Sequence, residues 1–294
     1  MAARSNDEQI GVVGLGLMGT ALTERLLEHG YRVAAWNRSR EKAAPLIGRG
    51  ATWADNPLAQ CERVIISLYT TEVVEAVLAR FDDGLHAGQI LLDTTTGEPE
   101  QTGALGARLA ARGVRYLDAP ISGSSEQTRR GEATVIVGGE RSAFEACADL
   151  WPVLGARVFH VGPWGSAAKM KLISNLVLGL NRAALAEGLA FAEALGVSPK
   201  AALEVMAGSM AYSRAIDAKG RKMVERDFTV QAKLSQHLKD VRLMLQAAAS
   251  AGLPLPLTET HRCLMEKAEA AGWGEQDNSA IIEVLRQPGK GAAA

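Results

Sequence analysis

The segment IGVVGLGLMGTALTERLLEHG, residues 10–30, decides the fold of the first half of the chain. It starts with the apolar run Ile10–Val13, typical of a buried strand, and ends with a stretch of helical character that stops at a glycine. Between them, Gly14 permits a tight turn, Gly16 lets a ligand approach the backbone, and Gly19 lets helix and strand pack closely. This strand–loop–helix setting predicts that the helix N-terminus binds the pyrophosphate of a dinucleotide.

Short apolar runs alternate with helical stretches along the rest of the first half. The runs lie at residues 32–36, 64–68, 90–92, 116–117 and 134–137. Alternating strand and helix signals are typical of a parallel sheet that is covered by helices on both faces. We therefore expect an α/β Rossmann-type N-terminal domain over residues 1–162.

The composition changes near residue 162, beyond which β-branched runs are rare and Ala, Leu, Met, Glu and Lys dominate. Residues 166–194 contain no proline and carry apolar side chains at helical spacing. They predict one unusually long helix with Ser166 as its N-terminal cap. Further helical stretches lie at residues 199–208, 214–225, 231–252, 257–272 and 277–286. The pattern predicts an all-α C-terminal domain over residues 163–294, which the long interdomain helix links to the first domain.

The residues after the second predicted strand indicate which dinucleotide is bound. Enzymes that use NAD usually have Asp or Glu there, about 20 residues after the glycine motif, to accept a hydrogen bond from the ribose 2′-OH. This chain has Asn37, Arg38 and Ser39 instead. The guanidinium of Arg38 can pair with two oxygens of a 2′-phosphate, and no acid is present to repel that phosphate. We therefore predict NADP(H) as the cofactor.

Composition and charge argue against several other classes of function. The 294 residues carry a net charge of −1, which is unfavourable for binding to nucleic acid or to an anionic membrane. No apolar stretch reaches the roughly 18 residues of a membrane span, and the opening MAARSNDEQI lacks the apolar run of a secretory signal. Three widely spaced cysteines indicate a reducing, cytoplasmic location, and five scattered histidines predict no metal site.

Five motifs follow one another in a fixed order: GLGLMG at 14–19, DTTTGEP at 93–99, DAPISGS at 118–124, GSAAKMKLISN at 165–175 and HLKD at 237–240. In order and spacing they resemble the β-hydroxyacid dehydrogenases, a family of 3-hydroxyisobutyrate dehydrogenase-like and 6-phosphogluconate dehydrogenase-like proteins. The resemblance covers about residues 10–290, and the fourth motif is most similar to that of the glyoxylate/succinic semialdehyde reductases. It implies an NADP-dependent oxidoreductase that acts on CH–OH groups.

Lys171 and Asn175 are four residues apart on the predicted long helix and therefore share one face. An ammonium group beside a carbonyl oxygen can stabilise the charge that builds there during reduction, and it can donate a proton. On the strength of the resemblance, we interpret Lys171 as the general acid/base and Asn175 as the residue that holds the lysine or the substrate hydroxyl in position. Lys169 points to another face of the helix and is expected to be solvated.

The resemblance also implies where substrate and cofactor bind. The turn after residue 121 is expected to bind a substrate carboxylate through hydroxyl and backbone N–H groups, and Ala232 stands where the family usually has a phenylalanine, which predicts a wider pocket. The residues expected at the substrate are Ser122, Gly123, Ser124, Thr96, Ala232 and Tyr212. The residues expected at the cofactor are Gly14, Leu15, Gly16, Leu17, Met18, Gly19, Asn37, Arg38, Ser39, Leu68, Tyr69, Thr96 and Lys239.

Two alternative functions remain open from the sequence. The stretches TTTGEPEQT and WNRSREKAAPLIGRGA also resemble imine reductases, which usually lack the lysine. The other alternative is a non-catalytic cofactor-binding interaction protein, since the family includes a nuclear member that has lost the lysine. The presence of Lys171 favours chemistry on alcohols and aldehydes. We expect a carboxylate-bearing aldehyde or hydroxy acid as the small-molecule substrate, and a homodimer or tetramer as the assembly.

Overall fold

A computed structural model describes residues 8–286, and the first part of the chain forms a nine-stranded sheet. The strands are β1 (Gln9–Val13), β2 (Arg32–Trp36), β3 (Thr52–Trp53), β4 (Arg63–Ile66), β5 (Ile90–Asp93), β6 (Arg115–Asp118), β7 (Ile121–Ser122), β8 (Thr134–Gly139) and β9 (Arg157–Gly162). The helices of this part are α1 (Leu17–Glu28), α2 (Ala44–Ile47), α3 (Thr71–Arg80), α4 (Pro99–Ala110), α5 (Ser125–Arg129), α6 (Arg141–Ala146) and α7 (Trp151–Leu154).

The strand order is β3-β2-β1-β4-β5-β6-β8-β7, with β9 paired to β8. The strands from β3 to β6 run parallel to one another. The order reverses direction between β1 and β4, and open α/β sheets bind ligands beyond the carboxyl ends of the strands at such a point. The glycine motif leaves β1 at this position, so the topology places the predicted dinucleotide loop where ligands bind.

Both faces of the sheet are buried, as the alternating pattern predicts. Val12 and Ile65 belong to one apolar cluster, whereas their chain neighbours Val13 and Ile66 belong to another. Because successive side chains of a strand point to opposite faces, the two clusters lie on the two sides of the sheet. The Rossmann-type α/β architecture is therefore confirmed for the first part of the chain.

One edge of the sheet departs from the parallel arrangement of the other strands. β8 runs antiparallel to both β6 and β7. Only residues 123–133 separate β7 from β8, and a parallel pair needs a crossover of about a dozen residues or more, whereas an antiparallel pair accepts a short connection. Three strands were not predicted from the sequence. β3 and β7 have only two residues each, and β9 is only partly buried, so none of them forms a buried apolar run.

The second part of the chain is all-helical. Its helices are α8 (Ser166–Ala194), α9 (Pro199–Ala207), α10 (Arg221–Glu225), α11 (Leu234–Ser250) and α12 (Pro256–Ala268), with π-helical turns at Ile216–Gly220 and Glu269–Trp273 and a 3-10 helix at Asn278–Val284. The long predicted helix is thus confirmed as α8. The chain divides into two compact units between Lys171 and Leu172, inside α8. Within residues 8–286, no helix is both long and apolar enough to cross a membrane.

Candidate active site

The glycine loop between β1 and α1 has the geometry that close approach of a phosphate requires. Gly14 has a φ of +99°, and a Cβ at Gly14 would collide with the carbonyl oxygen of Ser67. A Cβ at Gly19 would collide with the carbonyl oxygen of Gly14, whereas a Cβ at Gly16 would meet no atom within 4 Å. α1 has no side-chain cap and no acidic residue in its first turn, so its N-terminus suits an anionic ligand.

The residues after β2 brace this loop and present a cation. Asn37 Oδ1 accepts a hydrogen bond from the Leu15 N–H at 2.9 Å, and Asn37 Nδ2 donates to the Ser39 carbonyl at 3.0 Å. The amide of Asn37 thereby ties the end of β2 to the glycine motif. Arg38 between them is exposed, so its guanidinium is available to a ligand.

The ends of β4 and β5 are joined by hydrogen bonds. The Leu68 N–H donates to Thr95 Oγ1 at 3.2 Å, and the Thr95 N–H donates to Asp93 Oδ1 at 3.0 Å. Burial raises the pKa of Asp93, an effect that the hydrogen bonds from Thr95 oppose. Tyr69 is 48% exposed and Thr96 is half-buried, so both predicted cofactor residues are accessible at this carboxyl edge.

The turn predicted to bind a carboxylate leads from β7 into α5. Ser122 ends β7, and Ser124 caps α5 by accepting the Gln127 N–H, while the Ser124 N–H donates to the Gln127 side chain at 2.9 Å. This capping box stabilises α5 and uses the backbone N–H of Ser124. Thr128 of α5 contacts Met18 Sδ at 3.8 Å, so the helix that follows the turn packs against the first turn of α1.

The helix α8 buries two polar side chains one turn apart. Lys171 is 6% exposed and Asn175 is 5% exposed, whereas Lys169 is exposed. Asn175 Nδ2 donates to Asp240 Oδ2 at 3.0 Å, and Lys239 Nζ lies 3.1 Å from Asp240 Oδ1. Asp240 therefore fixes the amide of Asn175 and forms an ion pair with Lys239, the lysine predicted to reach the cofactor.

The two residues predicted to shape the substrate pocket differ in their surroundings. The Ala232 N–H donates to Asp277 Oδ2 at 3.1 Å, and the Ala232 carbonyl accepts from the Asn278 N–H at 2.9 Å. Tyr212 is 48% exposed, and its hydroxyl donates to Asp217 at 2.5 Å, a bond that raises the pKa of Tyr212. Asp217 is not among the residues predicted to bind the substrate.

Sequence reasoning missed Asp118, which holds the start of α8. Asp118 Oδ2 accepts the N–H groups of Ala167 and Ala168 at 3.1 Å each. Burial raises the pKa of Asp118 to about 7, against the effect of the hydrogen bond from Ala168. Ser166, the predicted cap, is instead the first residue inside the helix. The carboxylate and the amides are about 50 residues apart in the chain, so no local pattern could connect them.

Arg40 was also missed, two residues beyond Arg38. Its guanidinium lies 5.0 Å from the centroid of the Trp53 ring, a cation–π contact between the loop after β2 and β3. Arg40 is exposed like Arg38, so two guanidinium groups follow β2. The sequence Arg38-Ser39-Arg40 could have indicated this second guanidinium group.

Comparisons with protein-family models match both parts of the chain. Residues 9–162 match a model described as the NAD binding domain of 6-phosphogluconate dehydrogenase. Residues 165–285 match a model described as the NAD-binding of NADP-dependent 3-hydroxyisobutyrate dehydrogenase.

Full-length relatives give the same result. The chain is 31% identical over 286 residues to 2-(hydroxymethyl)glutarate dehydrogenase of Eubacterium barkeri, covering 95% of each chain. It is 29% identical to glyoxylate/succinic semialdehyde reductase 1 of Arabidopsis thaliana, covering 95% of this chain and 98% of the relative. Among solved structures, a 3-hydroxyisobutyrate dehydrogenase from Salmonella typhimurium superimposes with a TM-score of 0.87 at 25% identity, covering 95% of this chain and all of that chain.

Proposed function

The chain belongs to the β-hydroxyacid dehydrogenase family, and we propose that it is an NADP(H)-dependent reductase of semialdehydes or 2-oxo acids with Lys171 as general acid/base. The observation that carries this proposal is the burial of Lys171 and Asn175 one turn apart on α8, with the Asn175 amide fixed by Asp240. An oxidoreductase acting on CH–OH groups accounts for a lysine and an amide that are buried on one face of α8.

The residues around β1 and β2 fit a nicotinamide dinucleotide. The backbone at Gly16 and the N-terminus of α1 would hold the pyrophosphate, and Arg38 would pair with a 2′-phosphate. When bound, the cofactor supplies the hydride. The absence of a carboxylate among residues 36–39 supports NADP(H) over NAD(H).

In the reduction, Lys171 supplies the proton. As hydride adds to the carbonyl carbon, the electron pair of the C=O bond moves to oxygen, and the Lys171 ammonium stabilises this charge and donates a proton to it. In the oxidation, neutral Lys171 takes the hydroxyl proton. Asn175, held by Asp240, orients the lysine or the substrate hydroxyl, so that little reorganisation is needed when the charge develops.

The turn at Ser122 supports a substrate that bears a carboxylate. Ser122 and Ser124 offer hydroxyl donors, and Thr128 of the helix that follows the turn contacts Met18 of the glycine motif. Ala232 carries only a methyl group, which supports a substrate bulkier than glyoxylate. Ser122→Ala should therefore raise KM for a carboxylate-bearing aldehyde more than for an aldehyde without a carboxylate.

We also propose a homodimer or tetramer in the cytoplasm. The face of α8 in the second compact unit exposes Ile173, Val177 and Phe191, which suits burial against another copy of the chain. The three cysteines are unpaired, with Cys263 exposed, which is compatible with a reducing compartment.

One assay tests the chemistry. NADPH consumption is followed with carboxylate-bearing aldehydes, 2-oxo acids and cyclic imines, using wild type, Lys171→Ala and the matched control Lys169→Ala. We expect turnover with aldehydes or oxo acids, a loss of kcat of about 10²- to 10⁴-fold in Lys171→Ala, and no more than a twofold change in the control. Turnover of imines alone, insensitive to Lys171→Ala, would instead establish an imine reductase.

A further inference from the structure

The first turn of α8 is attached to the sheet at two points on β6. Trp164 Nε1 donates to the Tyr116 carbonyl at 2.8 Å, just before the helix begins. Asp118, at the carboxyl end of the same strand, then accepts the N–H groups of Ala167 and Ala168. The start of α8 is thus bound to the strand through a side chain of each partner.

The surroundings of Asp118 leave room for the carboxylate and little else. Asp118 is 2% exposed. A Cβ at Gly138 of β8 would collide with Asp118 Oδ1 and would lie 2.9 Å from the Pro163 carbonyl oxygen. Gly138 has no left-handed backbone that would require glycine, so close approach of this carboxylate is the physical reason for glycine at that position.

The attachment acts directly beneath the lysine. Ala167 and Ala168 precede Lys171 by four and three residues, so the two amides that Asp118 binds lie one helical turn before it. The first N–H groups of a helix have no partner within the helix, and a buried helix end without one is unfavourable. Asp118 therefore fixes the first turn of α8, from which the helix continues directly to Lys171.

We propose that Asp118 is a positioning residue for Lys171, fixing the first turn of α8 on β6 so that the ammonium stands where the reacting oxygen is protonated. This inference rests on the proposed role of Lys171 as general acid. Because Asp118 is buried, its proposed role is to hold the helix and not to take part in the reaction itself. A displacement of a reacting group by about 1 Å can cost about 10²-fold in rate, so loss of the attachment should appear in kcat.

The test compares Asp118→Ala with Asp118→Asn. Asparagine keeps an oxygen that can accept both amides, so we expect kcat within about fivefold of wild type, whereas Asp118→Ala should lose about 10²-fold in kcat. The Kd for NADPH, measured by fluorescence titration, should change by less than about threefold in both variants, because the glycine loop is untouched. Amide exchange at Ala167 and Ala168 should become faster in Asp118→Ala and remain slow in Asp118→Asn.

A second pair of variants covers the case in which Asp118→Ala does not fold. Gly138→Ala displaces the carboxylate without removing it and should lower kcat in the same way. The control is Gly103→Ala on α4, where a Cβ would make an ordinary contact of 3.5 Å with the Trp164 carbonyl oxygen. We expect the control to match wild type in kcat and in exchange.

Three results would overturn the proposal. One is an unchanged kcat in Asp118→Ala with only a lower melting temperature, which would make Asp118 purely structural. Another is a parallel loss of NADPH affinity, and a third is unchanged exchange at Ala167 and Ala168. If wild type reduces no carbonyl compound, the proposed function fails by itself, and the exchange experiment still decides whether Asp118 holds α8.

Discussion

At the scale of single residues, Arg38 should select the cofactor. It is exposed after β2. The side-chain amide of the neighbouring Asn37 is hydrogen-bonded to the backbone of Leu15 and Ser39. We expect Arg38→Ala to raise the Kd for NADPH by about 10- to 100-fold, because a charge-assisted pair with a phosphate is worth about 1.5–3 kcal/mol. The Kd for NADH should change little. Arg32→Ala, at the opposite end of the same strand, is the control, and equal losses for both cofactors would contradict the assignment.

Arg182 on α8 is a buried cation whose partners are incomplete. It is 3% exposed, and within residues 8–286 its Nε and Nη2 atoms have no hydrogen-bond partner. Burial lowers the pKa of Arg182 to about 10, although Asp277 opposes the shift. A pKa lowered in the folded state means that the charged form is destabilised by folding, here by about 3 kcal/mol at neutral pH.

Replacing this cation should therefore stabilise the protein. We expect Arg182→Met to raise the free energy of unfolding by about 1–3 kcal/mol, since methionine is a flexible, unbranched side chain that carries no charge into the buried site. The measurement is the urea midpoint at pH 7. Arg286→Met serves as the comparison. Arg286 forms ion pairs with Glu193 and Glu283, so this substitution should lower the free energy of unfolding. A loss of stability in Arg182→Met would show that its charge is compensated.

These residues mark the limit of what the sequence predicts. The geometry of the glycine motif was predictable because the strand, the loop and the helix that form it are adjacent in the chain. Asp118 was not, because its partners lie in α8, far along the chain. The burial of Arg182 depends on packing between helices, and an arginine in a helical pattern is ordinarily solvent-exposed.

At the scale of elements, one carboxylate joins three segments of the second unit. Asp277 is fully buried and accepts hydrogen bonds from Lys219 Nζ at 2.8 and 2.9 Å. It also accepts the N–H groups of Gln231, Ala232 and Ser279. Burial would raise the pKa of Asp277, but the charge and hydrogen bond of Lys219 and the backbone donors outweigh it and hold the pKa below its usual range.

The sign of the pH dependence follows from this shift. A carboxyl group whose pKa is lower in the folded state adds stability above its unfolded pKa of about 3.9, and that stability is lost as the pH falls through the folded pKa. Asp277→Asn should lower the free energy of unfolding by about 3–5 kcal/mol at pH 7, because it leaves the Lys219 charge buried and unpaired. The difference from wild type should shrink below about pH 4.

The control for this variant is Asp82→Asn. Asp82 forms an exposed ion pair with Arg112, so its loss should cost no more than about 1 kcal/mol. Denaturant titrations of both variants at several pH values between 3 and 8 provide the comparison. A constant difference between Asp277→Asn and wild type over this range would mean that ionisation of Asp277 is not the source of the stability.

The elements themselves differ in how well the sequence predicts them. The bounds of α8 were predicted because helical spacing and the absence of proline are local properties of 29 residues. The strands of the central sheet were predicted because their short apolar runs are also a local property of the sequence. β7 was not, because a strand of two residues has no periodicity, and the antiparallel direction of β8 is set by pairing with β6 rather than by its own residues.

At the scale of the whole molecule, the surface of α8 should govern assembly. One face of α8 exposes three large apolar side chains, which helical spacing brings together. They are Ile173, Val177 and Phe191, which are 58%, 54% and 63% exposed. Large apolar side chains arranged in this way are costly in water and typically mark an interface. Since the two-fold axis of a homodimer presents the same face of both copies, each substitution on this stripe changes the interface twice.

This doubling makes a single substitution a sharp test. We expect Ile173→Glu to convert the assembly to monomers at micromolar concentration, because two buried carboxylates would then face an apolar interface. The measurement is sedimentation equilibrium of wild type, Ile173→Glu and the control Ile47→Glu, which changes an isoleucine that is 42% exposed on α2. The control should keep the wild-type mass. A wild type that sediments as a monomer, or an Ile173→Glu variant with unchanged mass, would mean that this face of α8 does not form the interface.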